Sequence, residues 1–182
     1  PDGKVILHRL LAQFVQQVDQ EGLAEAVNIV DLTLINQAKR LTKENSFQQL
    51  STWQIHLRYR TDLAKTRLDK TSAELCNALG AHLYAIGNYA AALPYWERTL
   101  AITEIVFGSQ HSETVGILNN LGVLLNAMGE YEKSKPFFEK ALSINLGLHG
   151  DLHPLTAQIS NNLGRTLQSL GDHKVAEDHL EH

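Results

Sequence analysis

The sequence predicts an all-α array of helical hairpins, and three observations lead to it. The stretch Leu79-Gly80-Ala81-His82-Leu83-Tyr84-Ala85-Ile86-Gly87-Asn88-Tyr89 returns as Leu121-Gly122…Gly129-Glu130-Tyr131, then as Leu163-Gly164…Gly171-Asp172-His173, at a constant spacing of 42 residues. A fixed period of this size marks stacked supersecondary units, none of which buries its apolar face alone. Second, apolar positions step by three and four residues: Cys76, Leu79 and Leu83, then Leu118, Leu121 and Leu125, then Ser160, Leu163 and Leu167. Tyr89, Ala92, Trp96 and Leu100 return as Tyr131, Ser134, Phe138 and Leu142. Such steps trace one helical stripe. Third, Gly87, Gly129 and Gly171 stand where a helix ends in a left-handed residue, which glycine adopts without steric cost.

Each unit therefore reads as a helix, a tight turn at the second glycine, and an antiparallel helix opened by a polar residue (Asn88, Glu130, Asp172). Gly80, Gly122 and Gly164 fall mid-helix, where glycine costs about 1 kcal/mol relative to alanine. Three repetitions of that cost imply a close helix approach, for which the small residues Ala92, Ser134 and Ala176 supply the other side. Helices are expected over 72–86, 88–107, 112–128, 130–147 and 154–170, with a last one from 172. Pro94 and Pro136 lie early in second helices, and Pro154 in a first turn, where a missing N–H is tolerated.

These residues resemble the tetratricopeptide repeat family, with its apolar residue, Leu-Gly, Ala and aromatic positions, over about residues 71–179. The 42-residue period and the loops Gly108-Ser109-Gln110-His111 and Gly150-Asp151-Leu152-His153-Pro154 are similar to the longer variety found in kinesin light chains. Three departures from the common form stand out. The tryptophan of the first helix is replaced by Cys76, Leu118 and Ser160; the proline ending the repeat is missing; and Pro94 and Pro136 sit inside the second helices. The resemblance implies a right-handed superhelix that binds protein or peptide without catalysis. Residues 56–102 also resemble repeat regions of bacterial signal-transducing ATPases, which implies a sensor or oligomerisation arm as an alternative; a cargo-type adaptor is a further one.

Composition agrees with a soluble chain. An apolar fraction of 43% with 20% charged residues is ordinary, and no apolar run approaches a membrane span. Val5-Ile6-Leu7 is broken at once by His8-Arg9, so no signal peptide is read. A net charge of −4 with interspersed signs argues against a nucleic-acid surface. The single Cys76 excludes an internal disulfide and reads as a small core residue, which favours a reducing cytoplasm.

The order of the chain is then as follows. Residues 1–70 form an N-terminal helical region: a helix over 4–20, an interruption at Gly22, a helix over 23–42, a break at Asn45-Ser46 and a helix over 47–70. Stepping back one period maps Gly80 to Ala38 and Gly87 to Asn45, so a degenerate repeat fits residues 23–70. Thr71 or Ser72 is the expected cap of the next helix. The repeats proper are 71–112, 113–154 and 155–179, the last truncated, and 180–182 reads as a tag remnant. Both ends look cut, as in a piece of a larger signalling or scaffold protein. The open last repeat leaves Leu163, Leu167 and Leu170 in need of a cover and predicts self-association.

No chemistry emerges. His149 and His153 lie in a loop without a converging third ligand, so neither metal nor other cofactor is expected. His111 and His153 recur at one position and suit a capping hydrogen bond. No phosphate-binding glycine loop or nucleophile elbow occurs, and Glu97, Glu104, Glu113, Glu130 and Glu132 read as solvated faces. The run His56-Leu57-Arg58-Tyr59-Arg60 reads as an amphipathic surface. Asparagines recur instead: Asn77, Asn119 and Asn161, with Asn120 and Asn162 following. A side-chain amide either clamps a peptide backbone or bonds one repeat to the next, and both roles stay open. The family's groove positions imply a peptide-binding surface of Asn77, Ala81 and Tyr84, then Asn119, Val123 and Asn126, then Asn161, Arg165 and Gln168, with no nucleic acid and no membrane as partner.

Overall fold

The computed structural model describes residues 20–44 and 47–180, with side chains at 22, 24–44 and 52–171. The helix expected over 4–20 lies, but for Gln20, outside the described residues, as does the break at Asn45-Ser46. Among the described residues seven α-helices follow in order: α1 (Gln20–Lys43), α2 (Phe47–Leu63), α3 (Lys70–Ala85), α4 (Tyr89–Phe107), α5 (Ser112–Ala127), α6 (Tyr131–His149) and α7 (Pro154–Leu180), with a 3-10 turn Ala64–Thr66 after α2. Among the described residues there is no strand. Pairs α1/α2, α3/α4 and α5/α6 are hairpins, each stacked on the next, so the fold is an all-α solenoid of helical hairpins.

Helices α3 to α6 begin and end within two residues of the expected bounds, and the turns at Gly87 and Gly129 form as expected. Gly87 and Gly129 have φ of +77° and +78°. Around Gly87 its own N–H donates to Tyr84 O at 2.9 Å and the Asn88 N–H to Leu83 O at 2.8 Å, two bonds that satisfy carbonyls at the end of α3. The same pair recurs from Gly129 to Asn126 and from Glu130 to Leu125. Asn88 and Glu130 stand at the N-caps of α4 and α6 but make no side-chain capping bond.

The mid-helix glycines do allow close packing, but of a different kind from that expected. A Cβ on Gly80 would meet the Trp96 ring at 2.7 Å, and one on Gly122 the Phe138 ring at 2.6 Å. The nearest neighbour is thus an aromatic ring sixteen residues later, not the small residues Ala92 and Ser134, although both of those are buried. At Gly164 a Cβ would meet nothing within 4 Å. The reason is that α7 runs on through Gly171 as one helix of 27 residues. The turn expected at Gly171, and with it the separate helix from 172, does not form.

The N-terminal region also departs from the expected breaks. Helix α1 runs through Gly22 without interruption, and α2 ends at Leu63 rather than near Lys70. Asp69, not Thr71 or Ser72, caps α3: its carboxylate accepts from the Ser72 N–H at 2.8 Å, and Ser72 Oγ accepts from the Asp69 N–H at 3.3 Å. Arg67 anchors this cap through Nε to Asp69 Oδ2 at 2.7 Å. Burial alone would raise the Asp69 carboxyl, but hydrogen bonds from Arg67 and Ser72 outweigh it and hold it below its ordinary value. Arg67 Nη1 also reaches Asp31 at 3.1 Å, and Arg60 Nε reaches the same carboxylate at 2.7 Å. Asp31 is fully buried, so the basic run around Arg60 is only in part a surface. It neutralises an anion of this chain.

One core of Leu34, Ile35, Ala38, Leu41 and Leu57 continues through Leu75, Leu79, Leu83 and Trp96 to Leu121 and Leu124. A second gathers Val115, Leu118, Phe138, Ala141, Ile144 and Ile159 under α6 and α7. Cys76 is buried within α3, where desolvation pushes its thiol up to about 11. His82 is equally buried, and both its ring nitrogens lack a hydrogen-bond partner. One period later the same position is Leu124.

Two predictions follow from this packing. Gly122→Leu should destabilise the fold by about 1–3 kcal/mol or more, because Phe138 has to leave the helix backbone. Gly147→Ala, on an exposed face of α6 with nothing within 4 Å of a built Cβ, should instead stabilise by up to about 1 kcal/mol. Urea titrations of both variants decide it: shifts of opposite sign, the larger for Gly122→Leu, support the packing, and an unchanged midpoint for Gly122→Leu refutes it.

His82→Leu should raise stability, since an unpaired buried polar group costs about 1–3 kcal/mol. Burial lowers the His82 pKa from its ordinary 6.5. As pH falls through that value the unfolded chain takes up the proton first, so the stability present at higher pH declines. In His82→Leu this decline should shrink, as unfolding free energies measured from pH 7.5 down to 5 will show.

Candidate peptide-binding groove

The first helices of successive hairpins line one open groove of about 260 Å³. Tyr84 comes from α3, Val123, Asn126 and Ala127 from α5, Asn162, Arg165 and Ser169 from α7, and Tyr131 from the start of α6. The spacing 123, 126, 127 and 162, 165, 169 is one helix face in each case. Tyr84 is held by two rings, Tyr89 at 5.3 Å and Trp96 at 5.6 Å between centroids. Burial, with Tyr89 alongside, raises its hydroxyl pKa, so it stays a neutral donor. Arg165 is exposed and forms no ion pair with the described residues. Among the described residues the lining holds no carboxylate.

Beneath this lining, amides tie repeat to repeat. Asn126 Nδ2 donates to Thr166 Oγ1 at 2.8 Å, and that hydroxyl donates onward to Asn162 O at 2.8 Å. Asn162 Nδ2 donates to Asn119 Oδ1 at 3.1 Å. Within the preceding hairpin, Trp96 Nε1 donates to Asn77 Oδ1 at 3.0 Å. Asn126 Oδ1 is the exception, buried without a partner.

Of the residues implied for a peptide surface, Tyr84, Val123, Asn126 and Arg165 meet in the groove. Asn77 does not: it lies by a separate cavity of about 40 Å³ with Glu74, Thr103 and Phe107. Asn119 is buried, Ala81 is half-buried outside the groove lining, and Asn161 and Gln168 are exposed on α7 outside it. Ala127, Tyr131, Asn162 and Ser169 join the lining unforeseen. Two of these carried a signal: Asn162 belongs to the recurring asparagine pair, and Tyr131 repeats Tyr89.

The histidines take the capping role. His111 Nδ1 accepts from the Glu113 N–H and His153 Nδ1 from the Leu155 N–H, both at 3.2 Å. His149 is the last residue of α6 rather than a loop residue; it stacks on His153 at 4.6 Å and shares a 2.9 Å hydrogen bond with Ser112 Oγ. Among the described residues no group of three or more His, Cys, Asp or Glu is placed to hold a metal ion, and no helix is long and apolar enough to cross a membrane.

The sequence profile of the tetratricopeptide repeat matches residues 71–144 and 113–182, more than half of the chain. The chain belongs to the tetratricopeptide repeat family. Repeats of this family are protein-binding modules. No curated protein matches the sequence. Among solved structures, BtubC (BKLC) from P. vanneervenii is similar with a TM-score of 0.63 and 20% identity, over 90% of this chain and 66% of that one. The nearly identical TPR-like repeats of a Podosopora anserina putative kinesin light chain give a TM-score of 0.67 at 19% identity, over 82% of this chain and 71% of that one. A Q17M form of those repeats gives 0.62 at 17%, over 95% and 91%. At such identities the likeness is one of fold, that of the kinesin-light-chain-like variety of the repeat.

The asparagine bonds generate a test. Asn119→Ala should destabilise the array by about 0.5–1.5 kcal/mol, because Asn162 loses its acceptor. Asn161→Ala, on an exposed position, should leave the denaturation midpoint where it is. If the two variants unfold alike, Asn119 does not bond one repeat to the next.

Proposed function

We propose that this chain is a non-catalytic module of a larger signalling or scaffold protein, and that it captures an extended peptide in the groove between α3, α5 and α7. The observation that carries the reading is the composition of that groove. Among the described residues it offers one unpaired cation, Arg165, together with Tyr84 and Tyr131, the apolar Val123 and Ala127, and neutral polar groups. A peptide presenting an apolar side chain to Val123 and a single carboxylate to Arg165 would meet both of these groups. A lone cation does not suit a ligand with several clustered negative charges.

The test is a peptide selection on the wild-type chain followed by titration calorimetry of the selected sequences. Arg165→Glu should weaken binding roughly 10- to 100-fold, the loss expected for a hydrogen bond to a charged group. Val123→Glu should act similarly, and Glu97→Lys on α4 should change little. Selected peptides that bind a folded Arg165→Glu, Val123→Glu double variant undiminished would move the site to another face. The sensor-arm alternative shares the groove and differs in what flanks the repeats, so a nucleotide-binding domain in the parent protein would favour it.

A further inference from the structure

We infer that two copies of this chain complete each other's last repeat by exchanging the second half of α7. The inference starts from a missing contact. In the α3/α4 and α5/α6 hairpins a mid-helix glycine is covered by the residue sixteen positions later, Gly80 by Trp96 and Gly122 by Phe138. The third member of the series is Gly164, and sixteen positions on from it stands Leu180. Gly164 has nothing within 4 Å of a built Cβ, and beside it Leu167 is 46% exposed. The segment that would cover it instead continues straight, because α7 is unbroken from Pro154 to Leu180.

The sequence of that segment keeps the pattern of a second helix. Ala176 repeats Ala92 and Ser134, and Leu180 repeats Trp96 and Phe138. It is thus written to pack on a first helix, and within its own chain the straight α7 carries it away from one. Gly164 and Leu180 are about 24 Å apart along a continuous helix.

A second copy resolves both deficits at once. Two straight α7 helices placed antiparallel about a two-fold axis at Asp172 bring together residues equidistant from that point. Gly164 of one copy then faces Leu180 of the other, and the reverse contact forms by symmetry. This is the register that a closed hairpin with its turn at Gly171 would have within one chain. Opening the turn therefore keeps every contact of the hairpin and makes each twice, which is how exchange of an identical element produces a dimer. The occupant of the open face is the second copy, and the interface is isologous rather than an end-to-end stack that would grow into fibres.

The experiment uses the full 182-residue chain. In a Cys76→Ala background, Gly164→Cys and Leu180→Cys are introduced together and treated with a short bis-maleimide. The expected result is a covalent dimer on denaturing gels, matched by a dimer in light scattering before cross-linking. A cross-link confined to single chains would show that the hairpin closes as in the other repeats, and overturns the exchange. A light-scattering dimer that does not cross-link at these positions overturns it as well, as does a monomer at all concentrations. Gly171→Ala supplies a second reading without engineered thiols. Alanine favours the straight helix over a left-handed turn, so the dimer fraction at fixed concentration should rise; an unchanged or lower fraction counts against the exchange.

Discussion

An aromatic ring lying on bare helix backbone holds the α3/α4 and α5/α6 hairpins together, and the groove beside them depends on that contact. Trp96 on Gly80 and Phe138 on Gly122 leave no room for even a methyl group, so the two helices of a hairpin are locked in one relative position. From that position Trp96 reaches Asn77 with its indole N–H and supports the Tyr84 ring. Tyr84 in turn is a wall of the groove. A packing constraint in the hairpin thus fixes the orientation of a side chain that lines the groove. The helix-propensity loss at each glycine, about 1 kcal/mol, is small against the burial of a large ring, worth about 1.5–3 kcal/mol for a side chain the size of phenylalanine.

A second kind of constraint sets the junction before α3. There a buried carboxylate, Asp31, takes hydrogen bonds from Arg60 and Arg67, and Arg67 passes on to the α3 cap at Asp69. Removing one partner of such a cluster leaves a charge stranded in the interior, at a typical cost of about 3–5 kcal/mol. The cluster therefore contributes position more than net stability: it fixes where α1, α2 and the start of α3 sit relative to one another. Arg98 adds to the same joint from α4, donating to Ala64 O at 2.6 Å. The apolar core that runs from Leu34 to Leu124 is continuous across this joint.

The bounds of α3 to α6 and the glycine turns at Gly87 and Gly129 were legible because both are local and periodic. The partner of Gly80 was not. A spacing of twelve to a small residue and one of sixteen to a ring are equally regular in the sequence, and only the angle at which the helices meet selects the ring. Asp69 escaped notice for a different reason: it lies in a linker where no period holds, and its role needs Arg67 and Ser72 together. The straight course of α7 through Gly171 was hidden because glycine permits a left-handed turn without requiring one. Of the implied groove residues, Tyr84, Val123, Asn126 and Arg165 line one cavity. Asn77 and Asn119 do not: their hydrogen-bond partners stand 19 and 43 residues away, and the face of a single helix does not reveal them.

The division of labour among the asparagines has a consequence for recognition. An amide already bonded to Trp96 or to Asn162 offers a ligand only what remains after that bond, and exchanging one neutral hydrogen bond for another yields little free energy. Stapling amides make a poor source of affinity and a good source of rigidity. If the groove takes a peptide, discrimination falls to the Arg165 guanidinium, which forms no ion pair with the described residues. The staples Asn126–Thr166 and Asn162–Asn119 join α5 to α7, the helices that carry Val123 and Arg165. A peptide entering there would meet helices already fixed during folding, so that a few contacts would suffice to select it.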